Sequence, residues 1–142
     1  MTPPPETDRD LVEQIIRDLT GWALAKDIDR LFAITAHDPD FFIFHPDSKS
    51  TITGFDSFRA LAERSWMTDR FKATGFAIRD LRLQFSESGT VAWYSCILDD
   101  RGEWDGKPGG WDNCRWTGVI EKRAGRWVTV QMHFSLATDR PQ

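Results

Sequence analysis

The segment NCRWTGVIEKRAGRWVTVQMHFS, residues 113–135, predicts the β-hairpin that closes the sheet of this fold. Its turn lies at 123–126, where Gly125 can adopt the positive φ that a tight hairpin turn needs. Side chains alternate across a strand, so one face of the second strand belongs to the core and the other meets solvent or a second subunit. The apolar face is predicted to hold Val128, Val130, Met132 and Phe134, and the opposite face Trp127, Thr129, Gln131, His133 and Ser135.

The composition is that of one folded domain with more aromatic rings than its core requires. The chain has 142 residues, of which 40% are hydrophobic, and it includes seven Trp and ten Phe. Rings bury a large area at little entropic cost, so surplus rings are typical of a pocket wall or a subunit interface. We predict a Pro-rich disordered leader at 1–7, a single domain at 8–138 and a short tail at 139–142.

Charge and hydropathy argue against several classes of partner. The net charge is −4, the isoelectric point is near 5.3, and no cluster of Lys and Arg offers the basic surface that nucleic acid needs. No apolar run approaches membrane-spanning length and the first residues lack a secretion signal, so we expect a cytoplasmic protein without membrane contact. The two cysteines give no zinc signature, and we expect neither a metal nor a cofactor.

The order of the predicted elements indicates an α+β fold. A long first helix, with Leu11, Ile15, Leu19 and Trp22 at helical spacing, precedes two shorter helices and a series of long strands. Such an order is typical of a curved antiparallel sheet that wraps the helices. The predicted helices span 8–26, 29–35 and 55–67, the short strands 41–44 and 51–54, and the long strands about 71–86, 90–99, 112–122 and 127–136.

Residues 100–111 are predicted to form a long hairpin loop, because they combine four Gly with Trp104 and Trp111. Such a loop is either a lid, a dimer contact or simply mobile. If the loop lies there, Cys96 faces Cys114 across the hairpin, and a cross-strand disulfide is conceivable. The alternative is a pair of reduced, half-buried thiols, which the cytoplasmic context favours.

Four segments carry a resemblance to a known family: KDIDRLFAI at 26–34, the Thr53-Gly54 pair, VAWYS at 91–95, and RWTGV with GRWVTVQMHFS in the closing hairpin. With this order of elements, the chain resembles the nuclear-transport-factor-2-like superfamily, and within it the SnoaL-like branch. The resemblance implies a cone-shaped fold, a pocket between the first helix and the bent sheet, and often a homodimer through the outer sheet face. Members include ketosteroid isomerases, scytalone dehydratase, polyketide cyclases and non-catalytic kinase association domains, so the fold alone does not decide the activity.

The resemblance does not extend to steroid isomerisation. Where that enzyme has a general-base Asp before a Pro, this chain has His45 before Pro46. The oxyanion-hole Tyr of the first helix is matched by Leu19, and the protonated Asp of the closing hairpin by Thr117. Two donors that stabilise a developing enolate are therefore missing, and that electrostatic stabilisation is usually the largest contribution in such a site.

Candidate catalytic residues are His45, Arg115 and Thr117. An imidazole titrates near neutral pH, so His45 could move a proton, with Asp38 or Asp40 orienting it; alternatively it ends a strand at a wet surface while the two Asp form a turn. Arg115 and Thr117 share one face of their strand, where they either anchor a carboxylate or enolate oxygen or lie outside as interface partners.

Pocket and interface residues follow from strand parity together with the resemblance. His133 is predicted on the convex face, beside Trp127 and Gln131 in a dimer interface, unless a β-bulge reverses the register. The resemblance suggests that the face of β-strand 90–99 with Trp93 and Ser95 looks into the cavity. The predicted pocket residues are Trp22, Phe44, Trp93, Ser95, Met132 and Phe134.

Two functional hypotheses remain open from the sequence. In the first, the pocket carries out cofactor-free isomerisation, dehydration or cyclisation of a small apolar substrate with a polar oxygen. In the second, the chain is a non-catalytic ligand-binding or dimerisation module that works through its outer sheet face.

Overall fold

The computed structural model describes residues 6–139, and most of the predicted leader (1–7) and tail (139–142) lies outside this range. Three helices precede four long strands, and two short strands lie between the second and third helices. The elements are α1 (Asp8–Ala25), α2 (Ile28–Ala33), β1 (Phe42–Phe44), β2 (Ile52–Thr53), α3 (Phe55–Leu61) with a π-helical turn (Ala62–Trp66), β3 (Phe71–Phe85), β4 (Val91–Trp104), β5 (Lys107–Arg123) and β6 (Arg126–Ser135).

Local signals define both ends of α1. The Thr7 hydroxyl accepts a hydrogen bond from the backbone N–H of Asp10, and the Asp10 carboxylate accepts one from Thr7 in return. Lys26 ends the helix in the left-handed conformation. The buried face packs on the sheet and consists of Val12, Ile15, Ile16, Leu19, Thr20 and Trp22.

The six strands form one sheet in the order β2-β1-β6-β5-β4-β3, which confirms the α+β class. The long strands pair antiparallel, whereas β1 runs parallel to β6, with Phe44 opposite His133. The concave face packs on α1 and the shorter helices. Its centre is Trp116, which is fully buried, stacks on Phe134 and meets the Tyr94 ring edge-on.

The predicted loop at 100–111 is wrong, because β4 and β5 continue to a two-residue turn. Asp105 and Gly106 both have positive φ, 50° and 80°, as a type I′ hairpin turn requires. The longer hairpin also changes the cysteine register, so that Cys96 lies opposite Trp116, and Cys114 opposite Leu98. Both thiols are free and buried, and burial raises their pKa values to about 12 and about 11, which keeps them protonated.

A β-bulge in β6 reverses the predicted faces of its first half. Val119 pairs with Gln131 and Ile120 with Thr129, so Val130 is the extra residue. Before the bulge, Trp127 and Thr129 point into the core, and Met132 and Phe134 do so after it. The predicted placement of Val128 and Val130 on the core face and of Trp127 on the outer face is therefore wrong.

Candidate functional site

A cavity of about 520 Å³ lies on the concave side of the sheet. It is bordered by α1, the π-helical turn, the loop after β1 and the distal part of the β4–β5 hairpin. Four tryptophans contribute to its wall, and the only ionisable side chains among its described lining residues are His45, Asp47 and Asp100. The aromatic and aliphatic lining includes Leu19, Trp22, Phe58, Trp66, Phe71, Trp104, Trp111, Met132 and Phe134.

His45 enters the cavity at the end of β1. Its ring stacks on Phe134, with the centroids 5.4 Å apart, and contacts Trp111 of β5. Its Nδ1 lies 2.7 Å from the Ser50 carbonyl oxygen, which can only accept a hydrogen bond. Nδ1 therefore carries the proton, and Nε2 keeps its lone pair. Burial lowers the pKa of His45, so the neutral ring predominates at neutral pH.

Asp100 is the second ionisable group inside the cavity, and the sequence interpretation did not select it. It follows Ala92, Tyr94, Cys96 and Leu98 on the inward face of β4. Its carboxylate has no hydrogen-bond or ion-pair partner within residues 6–139, and burial raises its pKa to about 6. The sequence analysis placed Asp100 in a loop at 100–111 and therefore did not assign it to a strand face. The Asp-Gly pair at 105–106 is a strong hairpin signal, and a turn there continues the strand alternation through Asp100.

The predicted pocket residues divide between the two faces of the sheet. Trp22, Met132 and Phe134 line the cavity. Phe44 and Trp93 are each 46% exposed on the convex face, and Ser95 lies beside Trp93 there. Their predicted pocket role is corrected, because the buried partners on these strands are Ile43, Ala92, Tyr94 and Cys96.

Arg115 and Thr117 also lie on the convex face, on the opposite side of the sheet from His45. Both alternate with Cys114, Trp116 and Gly118, which are buried. Thr117 faces Ser95 and His133 on the neighbouring strands. Neither residue can contact a ligand in the cavity, so the predicted oxyanion-binding role at that site is wrong.

The remaining candidates lie away from the cavity. Gln131 and His133 are exposed on the convex face, as the parity argument predicted. Trp127 is instead buried, and its indole N–H donates to Asp8 of α1, which excludes it from an outer interface. Asp38 pairs with Arg123 and accepts a hydrogen bond from the backbone N–H of Asp40, so this turn does not orient His45.

A shallow depression of about 340 Å³ occupies the convex face. Trp93 forms its apolar surface, and polar side chains from four strands surround it. These include Arg82, Gln84, Ser95, Thr117 and Gln131.

Two absences are notable within residues 6–139. No group of three or more His, Cys, Asp or Glu side chains is placed to hold a metal ion. Of the helices in this range, none is long and apolar enough to span a membrane.

Residues 12–139 match the family model of the SnoaL-like domain. No curated protein sequence is significantly similar to the chain. Among solved structures, an NTF2-like protein from Cytophaga hutchinsonii is 16% identical, with a TM-score of 0.72 and coverage of 93% of this chain and 100% of that chain.

Two further structural relatives are association modules. A putative Ca/calmodulin-dependent kinase II association domain from Exiguobacterium sibiricum is 9% identical, with a TM-score of 0.74 and coverage of 97% of this chain and 100% of that chain. The CaMKII hub homology domain of Chlamydomonas reinhardtii is 19% identical, with a TM-score of 0.68 and coverage of 93% and 100%. At these identities the likeness establishes the fold alone, a cone-shaped NTF2-like α+β fold.

Proposed function

The chain belongs to the SnoaL-like domain family, and we propose that its concave cavity binds a small, largely apolar molecule with a polar oxygen and transfers a proton on it without a cofactor. The cavity volume of about 520 Å³ suits a ligand of one to three fused rings. Its aromatic wall supplies binding free energy, and His45 supplies the base.

The state of His45 is the observation that carries this proposal. Its Nδ1 donates to the Ser50 carbonyl, which fixes the ring orientation and leaves Nε2 unprotonated. Burial lowers its pKa, so a base is present at neutral pH without a preceding deprotonation step. Stacking on Phe134 holds the ring against the apolar wall. A positioned base against an aromatic wall suits proton abstraction next to a carbonyl group.

Asp100 takes the place that Arg115 and Thr117 were predicted to fill. Its pKa of about 6 lets the carboxyl exist in both protonation states near neutral pH. As the acid it can donate a hydrogen bond to a substrate oxygen, and as the carboxylate it can accept one. His45 reaches the cavity from the loop after β1 and Asp100 from β4, so a ligand can contact both.

Proton exchange on a simple ketone tests this function. We expect the protein to accelerate deuterium incorporation at the α-carbon of 2-tetralone in D2O, followed by NMR. Removing a general base typically costs about 100-fold or more, so His45→Gln should lose most of this acceleration. His133→Gln on the convex face is the matched control and should retain it. Absence of acceleration by the unsubstituted protein, or equal rates for the two variants, contradicts the proposal.

The second candidate function is self-association through the convex face, as a homodimer or larger assembly. Two large rings, Phe44 and Trp93, are each 46% exposed on this face. Aromatic rings among hydrogen-bonding side chains are typical of subunit interfaces. The structural likeness to association and hub domains supports this candidate, and Gln131 and His133 belong to the same surface.

Analytical ultracentrifugation tests the second candidate. We expect a dimer at micromolar concentration, and Trp93→Lys should shift it towards monomer, because burying an unpaired charge in an interface is costly. Leu24→Lys on α1 is a control, since Leu24 is exposed outside this face. A monomer for the unsubstituted protein, or a dimer that tolerates Trp93→Lys, contradicts this interface.

A further inference from the structure

The charges that line the concave cavity are of one sign only. Among its described lining residues the ionisable groups are His45, Asp47 and Asp100, with neither Lys nor Arg. His45 is neutral at neutral pH, because burial lowers its pKa. The cavity is therefore electronegative, although its wall is mostly apolar.

Three basic side chains near the cavity have partners elsewhere. Arg70 pairs with Asp105 at the hairpin tip, and Arg101 pairs with Asp112 on the outer side of the same hairpin. Lys26 donates to the Thr68 carbonyl oxygen at 2.6 Å. The Asp100 carboxylate thus has no cationic partner within the described part of the chain, although it lies largely out of water.

Tryptophan rings line the cavity beside the Asp100 carboxylate. Trp111 lies directly opposite Asp100 in the β4–β5 pairing, and both line the cavity. Trp111 contacts the His45 ring at a centroid distance of 5.9 Å, and Trp66 lies 6.5 Å from the same ring. Trp104 contributes at the hairpin end. Indole faces attract cations more strongly than other aromatic faces, especially where water is excluded.

From this arrangement we propose that the cavity selects a ligand with an organic ammonium group, which pairs with the Asp100 carboxylate and lies against the indole of Trp111. This inference rests on the proposed small-molecule function and narrows its substrate class to apolar amines or quaternary ammonium compounds. Pairing compensates the buried carboxylate for its lost hydration, which neither a neutral ligand nor an anion can do to the same extent. His45 remains free to act on the uncharged part of the ligand.

Three probes of nearly equal shape test the inference. Phenyltrimethylammonium carries a permanent charge, tert-butylbenzene is its neutral isostere, and 4-tert-butylbenzoate carries the opposite charge. Binding is followed at pH 7.5 and low salt through the Trp indole N–H signals in NMR spectra. The Trp93 signal on the convex face reports binding outside the cavity.

We expect phenyltrimethylammonium to bind about tenfold or more tightly than tert-butylbenzene, in line with a desolvated cation–aromatic contact, and the benzoate to bind most weakly. Asp100→Asn should abolish the preference for the cation and leave tert-butylbenzene binding unchanged. Asp99→Asn, on the outward side of the same strand, is the matched control and should preserve the preference.

The outcomes separate this inference from the proposed function. Equal or tighter binding of tert-butylbenzene overturns the ammonium preference while leaving a small-molecule pocket in place. A preference that survives Asp100→Asn overturns the role of Asp100. If none of the three probes binds and 2-tetralone shows no accelerated exchange, both the inference and the proposed function fail.

Discussion

Two adjacent carboxylates on β4, those of Asp99 and Asp100, lie on opposite faces of the sheet and differ in their partners and in their pKa values. Asp99 points outward, accepts the backbone N–H of Asn113 at 2.9 Å and pairs with Arg79, and these contacts lower its pKa. Asp100 points inward, has no such partners within residues 6–139, and burial raises its pKa to about 6. The convex face therefore compensates the charge of Asp99, whereas the concave face leaves that of Asp100 without a partner in the described range.

The paired charges stabilise the sheet on its outer side, whereas the unpaired carboxylate lies in the cavity. Two ion pairs join neighbouring strands on the outer side of the sheet: Arg79 with Asp99, and Arg101 with Asp112. A buried carboxylate without a partner lowers the free energy of unfolding, so a functional role is the physical reason to look for at Asp100.

The largest effect should come from Trp116, and the matched comparison on the opposite face is Trp93. Trp116 is 0% exposed at the centre of the concave face, whereas Trp93 is 46% exposed on the convex face. Trp116→Ala removes a fully packed ring and should lower the free energy of unfolding by about 4 kcal/mol. Trp93→Ala should change it by less than about 1 kcal/mol in the monomer. Urea denaturation checks both, and similar losses would contradict the assignment of the faces.

The next effect concerns two strand glycines. A Cβ at Gly118 would overlap the Tyr94 hydroxyl and ring, whereas one at Gly75 would have no atom within 4 Å. Gly118→Ala should therefore cost about 3 kcal/mol through overpacking, and Gly75→Ala should be close to neutral. The cost at Gly118 should shrink when Tyr94→Leu removes the ring. A full cost in that background would show that the ring is not its cause.

Asp99 and Asp100 should affect the free energy of unfolding with opposite pH dependence. Ionisation of Asp100 is disfavoured in the folded state, so the folded protein binds more protons than the unfolded chain between the ordinary carboxyl pKa of 3.8 and the raised value of about 6. Below this window Asp100 is protonated in both states and does not affect stability. The free energy of unfolding falls as the pH rises through the window. Asp100→Asn removes the penalty and should raise the free energy of unfolding at pH 7.5 by about 2 kcal/mol relative to its effect at pH 4.

Asp99→Asn should have the opposite sign. The pKa of Asp99 is lowered in the folded state, so its contribution is present above the ordinary carboxyl range and lost as pH falls through the folded pKa. This variant should therefore destabilise the protein at pH 7.5. Denaturation curves at pH 7.5 and pH 4 for both variants measure the two signs. The contrast between the faces fails if both substitutions destabilise at pH 7.5.

Much of the fold could be predicted from local patterns. The amphipathic spacing from Leu11 to Trp22 gives α1, and the Gly125 turn gives the β5–β6 hairpin. The bulge at Val130 could not be predicted, because it depends on how two strands pair and leaves no mark in the alternation of one strand. That single residue reversed the face of Trp127, which the sequence interpretation placed in an interface.

The site was predicted less well, for a related reason. His45 precedes Pro46 at a strand end, and this local feature was visible in the sequence. Asp100 becomes visible only when β4 is followed to Trp104, which the Asp105-Gly106 turn permits. The inward or outward direction of Trp93, Arg115 and Thr117 depends on which face α1 covers. Parity along one strand fixes which residues share a face, but not which face is inside.

The smallest expected effect is stabilising and concerns two threonines on opposite faces. The Thr129 side chain is 0% exposed on the core side of the bulge, and its hydroxyl lacks a hydrogen-bond partner in the described range. Thr129→Val replaces that hydroxyl with a methyl group and should raise the free energy of unfolding by about 1 kcal/mol, because a buried unpaired hydroxyl costs stability. Thr117→Val on the exposed face should leave it nearly unchanged. Thermal and urea denaturation compare them, and a loss of stability in Thr129→Val would mean that its hydroxyl is hydrogen-bonded in solution.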